Sequence, residues 1–491
     1  MKKGSWDIKN NRTLALIAFL NGAVIMSVEI VGARTIAPYF GTSTYVWTAV
    51  IGVILGALAL GYWQGGIVAD KGASFKGLQK IFLIATAILA VTTVLQAPLL
   101  NFVAENVPSL RLQSALASML LFAPMAFFLG MVSPYIAKLA LRKLSMGGEI
   151  IGKLYALGTF GSIAGTFITG YFLINILGNR QLYWIFVGIL VLLSILANRP
   201  KLTDKKLMKS LILLFVLVVG LFVSSLNEAK AIGTVYAKDT AYASYRVSDI
   251  IYRGKQTRLL VTDNSSAQSG VLINEPLTPA FSYTQALIQV TQNLKPKNIL
   301  MIGGGAYTLP TIITTQMPNA NFDVVEIDPK LDDIAKDYFG FKQSSSVKII
   351  HEDGRTYLNR NSTKYDLIII DAYSSIRPPF HLTTAEAVEK MKSSLNPGGI
   401  IASNVIGSLS SDRAEFIASV QSTMKQSFKS AELFYTSRAN DSQTQNILLI
   451  ASDDYDSIKK SMQKFKPANT QATGIILTDN FAPTEKLLGD F

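Results

Sequence analysis

Two patterns of apolar and polar positions divide the chain. Up to residue 226 the apolar residues gather in seven runs, over 14–37, 46–69, 78–103, 112–141, 150–177, 181–197 and 207–226. At roughly 20 residues each, such runs are long enough to cross a bilayer as helices. Beyond them the runs shorten, and β-type stretches alternate with helix-length segments, which predicts a parallel sheet with crossover helices. Residues 243–251 and 256–263 alternate around Arg253-Gly254 and predict a hairpin. LLVTDNSSAQSG, which begins in that second strand, ends in a polar loop, and 277–293 predicts a helix that stops before Pro296. Further on the pattern predicts helices over 384–394 and 414–428 and strands over 399–404, 431–436 and 446–451, with the proline-rich 376–382 as a loop over the sheet edge. The expected domains are a helical membrane region at 1–226, a small β unit with a linking helix at 227–296, and a doubly wound sheet domain at 297–491.

Within the membrane region, Pro124 and Pro134 predict a kinked fourth helix, and Gly152, Gly158, Gly161, Gly165 and Gly170 predict close helix contact along the fifth. The first run is too long for a cleavable signal and carries Glu29 and Arg34. A carboxylate inside a span is costly, so Glu29, with Arg34 nearby, is a functional candidate; the bland alternative is a structural pair with Arg34 or with a cation on another helix.

Charge sharpens this division. The formal net charge is +13. Before Asn227 there are 19 Lys and Arg against 6 Asp and Glu; from Asn227 onward there are 27 of each. The whole excess therefore lies between membrane runs, which argues against a basic nucleic-acid face. Lysines and arginines cluster before the first run and in every second loop after it, whereas the alternate loops hold only Arg111 and Arg180. The amino terminus is thus expected in the cytoplasm, and seven spans would leave the carboxyl-terminal domain outside. With no cysteine and only His351 and His381, disulfides, thiolate chemistry and a histidine-built metal site drop out, and no metal is expected.

Candidate chemistry concentrates between Lys297 and Ser375. An apolar run meets Gly303, Gly304 and Gly305; the next ends at Glu326, the third before Asp353-Gly354, and the fourth at Asp371. Acidic residues at successive strand ends gather on the carboxyl edge, where open α/β sheets bind ligands. The glycines allow close backbone approach, and Glu326, about twenty positions on, is placed to accept from ribose hydroxyls. Asp353 and Gly354 are placed to meet a base. The triplet lacks the spacing of a pyrophosphate loop, so a phosphate-free sulfonium nucleoside fits better than NAD or ATP. Asp371 could take a proton from an attacking amine or hold its charge; its bland role is a helix cap.

GGGAYTLP, VVEIDP, HEDGR and DLIIIDAYSS, preceded by LLVTDNSSAQSG, resemble the spermidine synthase (polyamine aminopropyltransferase) family. SVEIVGARTIAPYFGTS, LGALALGYWQGGIVADK and LGMVSPYIAKL, with the closing ILTDNFAPTEKL, resemble the bacterial membrane-fused members. The fold class this implies is a multi-pass α-helical membrane domain of about seven spans. An α/β class I methyltransferase-like (Rossmann-type) domain follows it, with a small β unit ahead. The resemblance implies decarboxylated S-adenosylmethionine, or S-adenosylmethionine itself, bound by Gly303–Gly305, Glu326, Asp353 and Gly354. Asp371 would deprotonate the amine, and Asp263, Tyr283, Tyr373 and Ser374 are the substrate-binding candidates. It also implies a homodimer and a bacterial cytoplasmic membrane. Two positions depart from the pattern: Ala306 and Ser374 stand where the family usually carries Asp, and Arg377 would repel a polycation. The resemblance thus carries a nucleoside site further than it carries a diamine acceptor. An amine or membrane-borne acceptor, a methyl transfer, and a transporter or sensor whose sheet domain only binds its ligand are the readings left. A cytosolic donor would argue for a cytoplasmic sheet domain, against the loop charges.

Overall fold

The computed structural model describes residues 8–41, 43–141, 147–198, 233–263, 266–373, 379–410, 414–437 and 440–488. The chain divides into two compact units, Met1–Ala229 with Asp239–Ala241, and Lys230–Lys238 with Tyr242–Phe491.

Among the described residues of the first unit, six helices are long and apolar enough to cross a membrane: Arg12–Phe40, Thr44–Asp70, Phe75–Asn106, Ala123–Ala140, Gly147–Leu173 and Asn179–Ala197. The expected seventh run, 207–226, lies outside the described residues. The fourth run is not one kinked helix. It breaks at Phe122 into Leu110–Leu121, too short to span, and Ala123–Ala140. Pro124 sits in the first turn of the second piece, where its missing N–H costs nothing. The glycines of the fifth run behave unequally. A side chain at Gly161 or Gly165 would strike the Phe19 or Ala23 carbonyl of the first helix, so the two backbones touch there. Gly152 and Gly170 meet nothing, which corrects their expected packing role. Ser27 and Thr169 bond across the same seam at 2.8 Å. Trp63, Phe160, Tyr171 and Phe172 point outward and are exposed.

The second unit holds two sheets. The first is antiparallel, in the order β1 (Thr234–Asp239), β2 (Ser244–Tyr252), β3 (Lys255–Thr262), β4 (Ser266–Leu272) and β5 (Glu275–Pro279). The hairpin at Arg253-Gly254 forms as expected, with both turn residues at positive φ. The loop expected in LLVTDNSSAQSG instead pairs as β4, with Ser269 and Val271 buried. Leu277 belongs to β5, so the helix that follows starts late, at Ser282–Leu294.

The second sheet runs β13-β11-β12-β10-β9-β6-β7-β8. Its parallel part is β8 (Val347–His351), β7 (Asn321–Glu326), β6 (Asn298–Ile302), β9 (Tyr365–Ile370) and β10 (Leu395–Gly407). Antiparallel β12 (Gln445–Ser452), β11 (Ser430–Tyr435) and short β13 (Pro467–Ala468) extend it. The solid apolar runs are explained by burial on both faces. Leu300, Ile302, Ile368, Ile370 and Ile401 line one core, while Ile299, Met301, Leu367, Ile369 and Ile400 line the other. Strand order reverses between β6 and β9. That is where such sheets open a ligand crevice, and it sets the loop after β6 beside the loop after β9.

Candidate active site

The loop after β6 is shaped by positive φ at Gly303 (90°), Gly305 (53°) and Tyr307 (52°). A Cβ at Gly303 would collide with the Asp371 carbonyl, and one at Gly305 would sit 2.6 Å from Ser269 Oγ. Every backbone amide of this loop has a protein partner. Gly303 donates to the Val325 carbonyl at 2.9 Å and Tyr307 to the Gly304 carbonyl at 2.9 Å. Gly304 and Gly305 both donate to Glu326 Oε2, at 2.7 and 3.4 Å, and Ala306 donates to Ser269 Oγ at 3.1 Å. No amide is turned outward to cradle a phosphate, as a pyrophosphate loop requires.

Glu326 closes β7 and is buried. Its Oε1 accepts from the Asp328 amide at 3.0 Å. Burial pushes its carboxyl up, and the amides of Asp328, Gly304 and Gly305 only partly pull it back. Expected to serve a ribose alone, Glu326 also shapes the glycine loop; Oε2 accepts both loop amides, and Oε1, with one donor, keeps a lone pair for a hydroxyl. Tyr245 of β2 is buried beside it, its hydroxyl raised by burial and by Glu326 and Asp328.

Asp371 follows β9 and is partly buried. Burial pushes its carboxyl up to about 6, against the stabilising bonds of Asn404 and Tyr283. Asn404 Nδ2, on β10, donates to Asp371 Oδ1 at 2.9 Å. The Tyr283 hydroxyl lies within reach of Asp371 and of the Gln268 carbonyl, the latter at 2.8 Å. Tyr373 donates its hydroxyl to the Asn404 carbonyl, and its own carbonyl accepts from Gln268 Nε2 at 3.0 Å. A carboxylate, two phenols and two amides thus meet at the strand switch point.

Asp353 caps the helix Gly354–Arg360, accepting from the Thr356 amide at 2.9 Å. Its Oδ2 lies 3.2 Å from His381 Nε2. Burial alone would raise this carboxyl; the Thr356 amide and His381 outweigh it and hold it below the usual range. Gly354 is needed for packing, since a Cβ would sit 2.5 Å from Ile302 Cγ2.

Of the other candidates, Asp263 ends β3 at a φ of 56°, and its Oδ1 accepts from the Ser244 amide at 3.3 Å. Ser374 and Arg377 lie outside the described residues. Ala306 is fully buried in an apolar cluster with Tyr245, Leu260, Ile334 and Phe339, so it faces packing and not a ligand. Glu29 and Arg34 belong to the helical unit, where Arg34 Nη1 donates to the Ile174 carbonyl at 3.2 Å. Sequence reasoning missed Tyr245, Gln268, Ser269 and Asn404. Asn404 left a trace, as a polar residue inside the apolar run IIASNVIG; Gln268 and Ser269 were hidden in the segment read as loop.

Residues 280–460 match the spermine/spermidine synthase domain. A polyamine aminopropyltransferase of Vibrio vulnificus is 36% identical over 115 residues, covering 23% of this chain and 38% of that protein. One from Saccharolobus islandicus is 30% identical over 152 residues, covering 30% of this chain and 50% of that protein. The chain thus spans 38% and 50% of the length of these two relatives. A probable spermidine synthase from Corynebacterium glutamicum superposes with a TM-score of 0.41 at 19% identity, over 50% of this chain and 96% of that one. The matched residues, 280–460, lie within the sheet unit, which is thus similar to a spermine/spermidine synthase domain.

Proposed function

We propose that the protein is a membrane-anchored aminopropyltransferase of the spermidine synthase type. Its donor is decarboxylated S-adenosylmethionine and its acceptor an amine, either a small molecule or membrane-borne. One observation carries this reading: a glycine loop whose amides are all spent on the protein lies beside a carboxylate raised to about 6. Such a loop suits a nucleoside without phosphates, and such a carboxylate suits proton transfer near neutral pH. The matching domain and the aminopropyltransferase relatives support the same choice.

Glu326 would accept from the ribose hydroxyls while holding the loop, and Asp353 would face the base. The acceptor nitrogen forms a bond to the methylene carbon beside the sulfonium. The carbon–sulfur bond breaks, and its electron pair stays on sulfur as neutral methylthioadenosine leaves. The surplus proton on nitrogen passes to the Asp371 carboxylate and then to solvent. Tyr283 and Asn404 would orient that carboxylate. Six long apolar helices support the membrane anchor. A homodimer is part of the same reading.

The test uses full-length protein in detergent with decarboxylated S-adenosylmethionine and a panel of mono- and diamines. Methylthioadenosine should appear in step with an N-aminopropylated product. S-adenosylhomocysteine formed from S-adenosylmethionine would replace this reading by methyl transfer. Nucleoside binding without turnover across the panel would sink both in favour of a binding or sensing role.

A further inference from the structure

Apart from its resemblance, the segment ILTDNFAPTEKL would read in the sequence as an ordinary polar terminus. In the fold it is a built element. The Ile475 and Leu477 amides donate to Ser419 and Thr423 hydroxyls at 3.1 and 3.0 Å, on the helix Ala414–Ser427. The Leu477 carbonyl accepts from Ala385 at 2.8 Å, and the Leu477 side chain is fully buried. This pinning delivers Asp479 to Arg355.

The contact is bidentate. Arg355 Nη1 and Nη2 donate to Asp479 Oδ1 and Oδ2 at 3.1 and 2.6 Å. Thr384 Oγ1 donates to Asp479 Oδ1 at 2.7 Å, and the Asp479 amide donates to Glu386 Oε2 at 3.0 Å. Arg355 Nη1 also reaches the His381 carbonyl, at 2.9 Å. The His381 ring meets Asp353, two residues before Arg355. The two hydrogen bonds run from Asp353 through His381 to Arg355, the backbone of 353–355 closes the ring, and Asp479 holds it from outside. The Arg355 side chain is only 15% exposed, so losing its carboxylate leaves a mostly buried guanidinium underpaired.

We propose that Asp479 is a positioning residue for nucleoside binding: through Arg355 and His381 it fixes Asp353, the carboxylate facing the base. This rests on the donor site described under the proposed function. Asp479 touches no reacting atom, so its loss weakens donor binding and leaves the transfer step intact.

Full-length protein in detergent is compared as wild type, Asp479→Asn, Asp479→Glu and Leu477→Ala. Donor affinity is read by calorimetry with methylthioadenosine and decarboxylated S-adenosylmethionine, and kinetics by KM and kcat for each substrate. Asp479→Asn should raise the donor Kd and KM about tenfold, with kcat and acceptor KM within about twofold of wild type. Asp479→Glu should recover part of that loss. Leu477→Ala, which loosens the pin that delivers Asp479 but keeps its carboxylate, should lower the melting temperature and raise donor Kd by less than Asp479→Asn does. A donor Kd unchanged in Asp479→Asn, or raised equally by Leu477→Ala, overturns the proposal while leaving the donor site standing. Failure of the wild type to bind either nucleoside overturns both.

Discussion

In the proposed mechanism Asp371 takes the acceptor's proton, and its own protonation gives a direct test. Its folded pKa of about 6 lies above the ordinary carboxylate value, so the native state holds this proton more tightly than the unfolded chain. That stabilises the fold below about pH 4, and the contribution is lost as pH rises through about 6. Activity should move the other way: kcat should rise through about pH 6 and level off as the carboxylate forms. Asn404 donates to the ionised form, so Asn404→Ala should shift that limb upward by about half to one pH unit. A limb that stays in place would remove Asn404 from any role in tuning the base. Asp371, Glu326 and the glycines were legible because each stands where an apolar run stops. Ser269 and Gln268 were not. Ser269 pairs with Leu260 across an antiparallel sheet and Gln268 falls at the register shift beside it, and such polar residues carry no period that announces a strand.

Among elements, the first and fifth spanning helices are held by touching backbones. Gly161→Leu should therefore cost about 1–3 kcal/mol through overpacking, seen as a lower melting temperature in detergent. Gly152→Leu, on the same helix but against open space, should be neutral. Equal losses from both would mean that the contact with the first helix does not set the cost, since helix propensity favours Leu over Gly at either site. Glycine content in the sequence announced a contact but not its face, because every glycine in an apolar run looks alike until the partner helix is placed. The parallel strands were legible for the opposite reason. Burial on both faces demands apolar side chains at successive positions, and residues 299–302 of β6 and 367–370 of β9 obey. Where Pro124 stands, sequence pattern predicted a kink and the helix instead restarts, since a proline near a helix start loses no hydrogen bond.

For the whole molecule, loop charge and span count decide which side the sheet unit occupies. With 207–226 as a seventh crossing and the amino terminus in the cytoplasm, a reporter fused after Phe491 should work only outside the cytoplasm. Activity confined to the cytoplasm would require an even number of crossings. The division into an apolar helical part and a charge-balanced sheet part was plain in the sequence, since both hydropathy and charge change near Asn227. The role of Asp479 was not, because nothing local links it to Arg355, 124 residues earlier. That separation also has a consequence in time. At roughly 5–20 residues per second, a ribosome needs on the order of ten seconds to travel from Arg355 to Asp479. The glycine loop, Glu326, Asp353 and Asp371 all leave the ribosome before their clasp does. On the proposed roles of Asp353 and Asp479, a nascent chain carries an unfinished base pocket until this late segment arrives, and assembly precedes ligand capture.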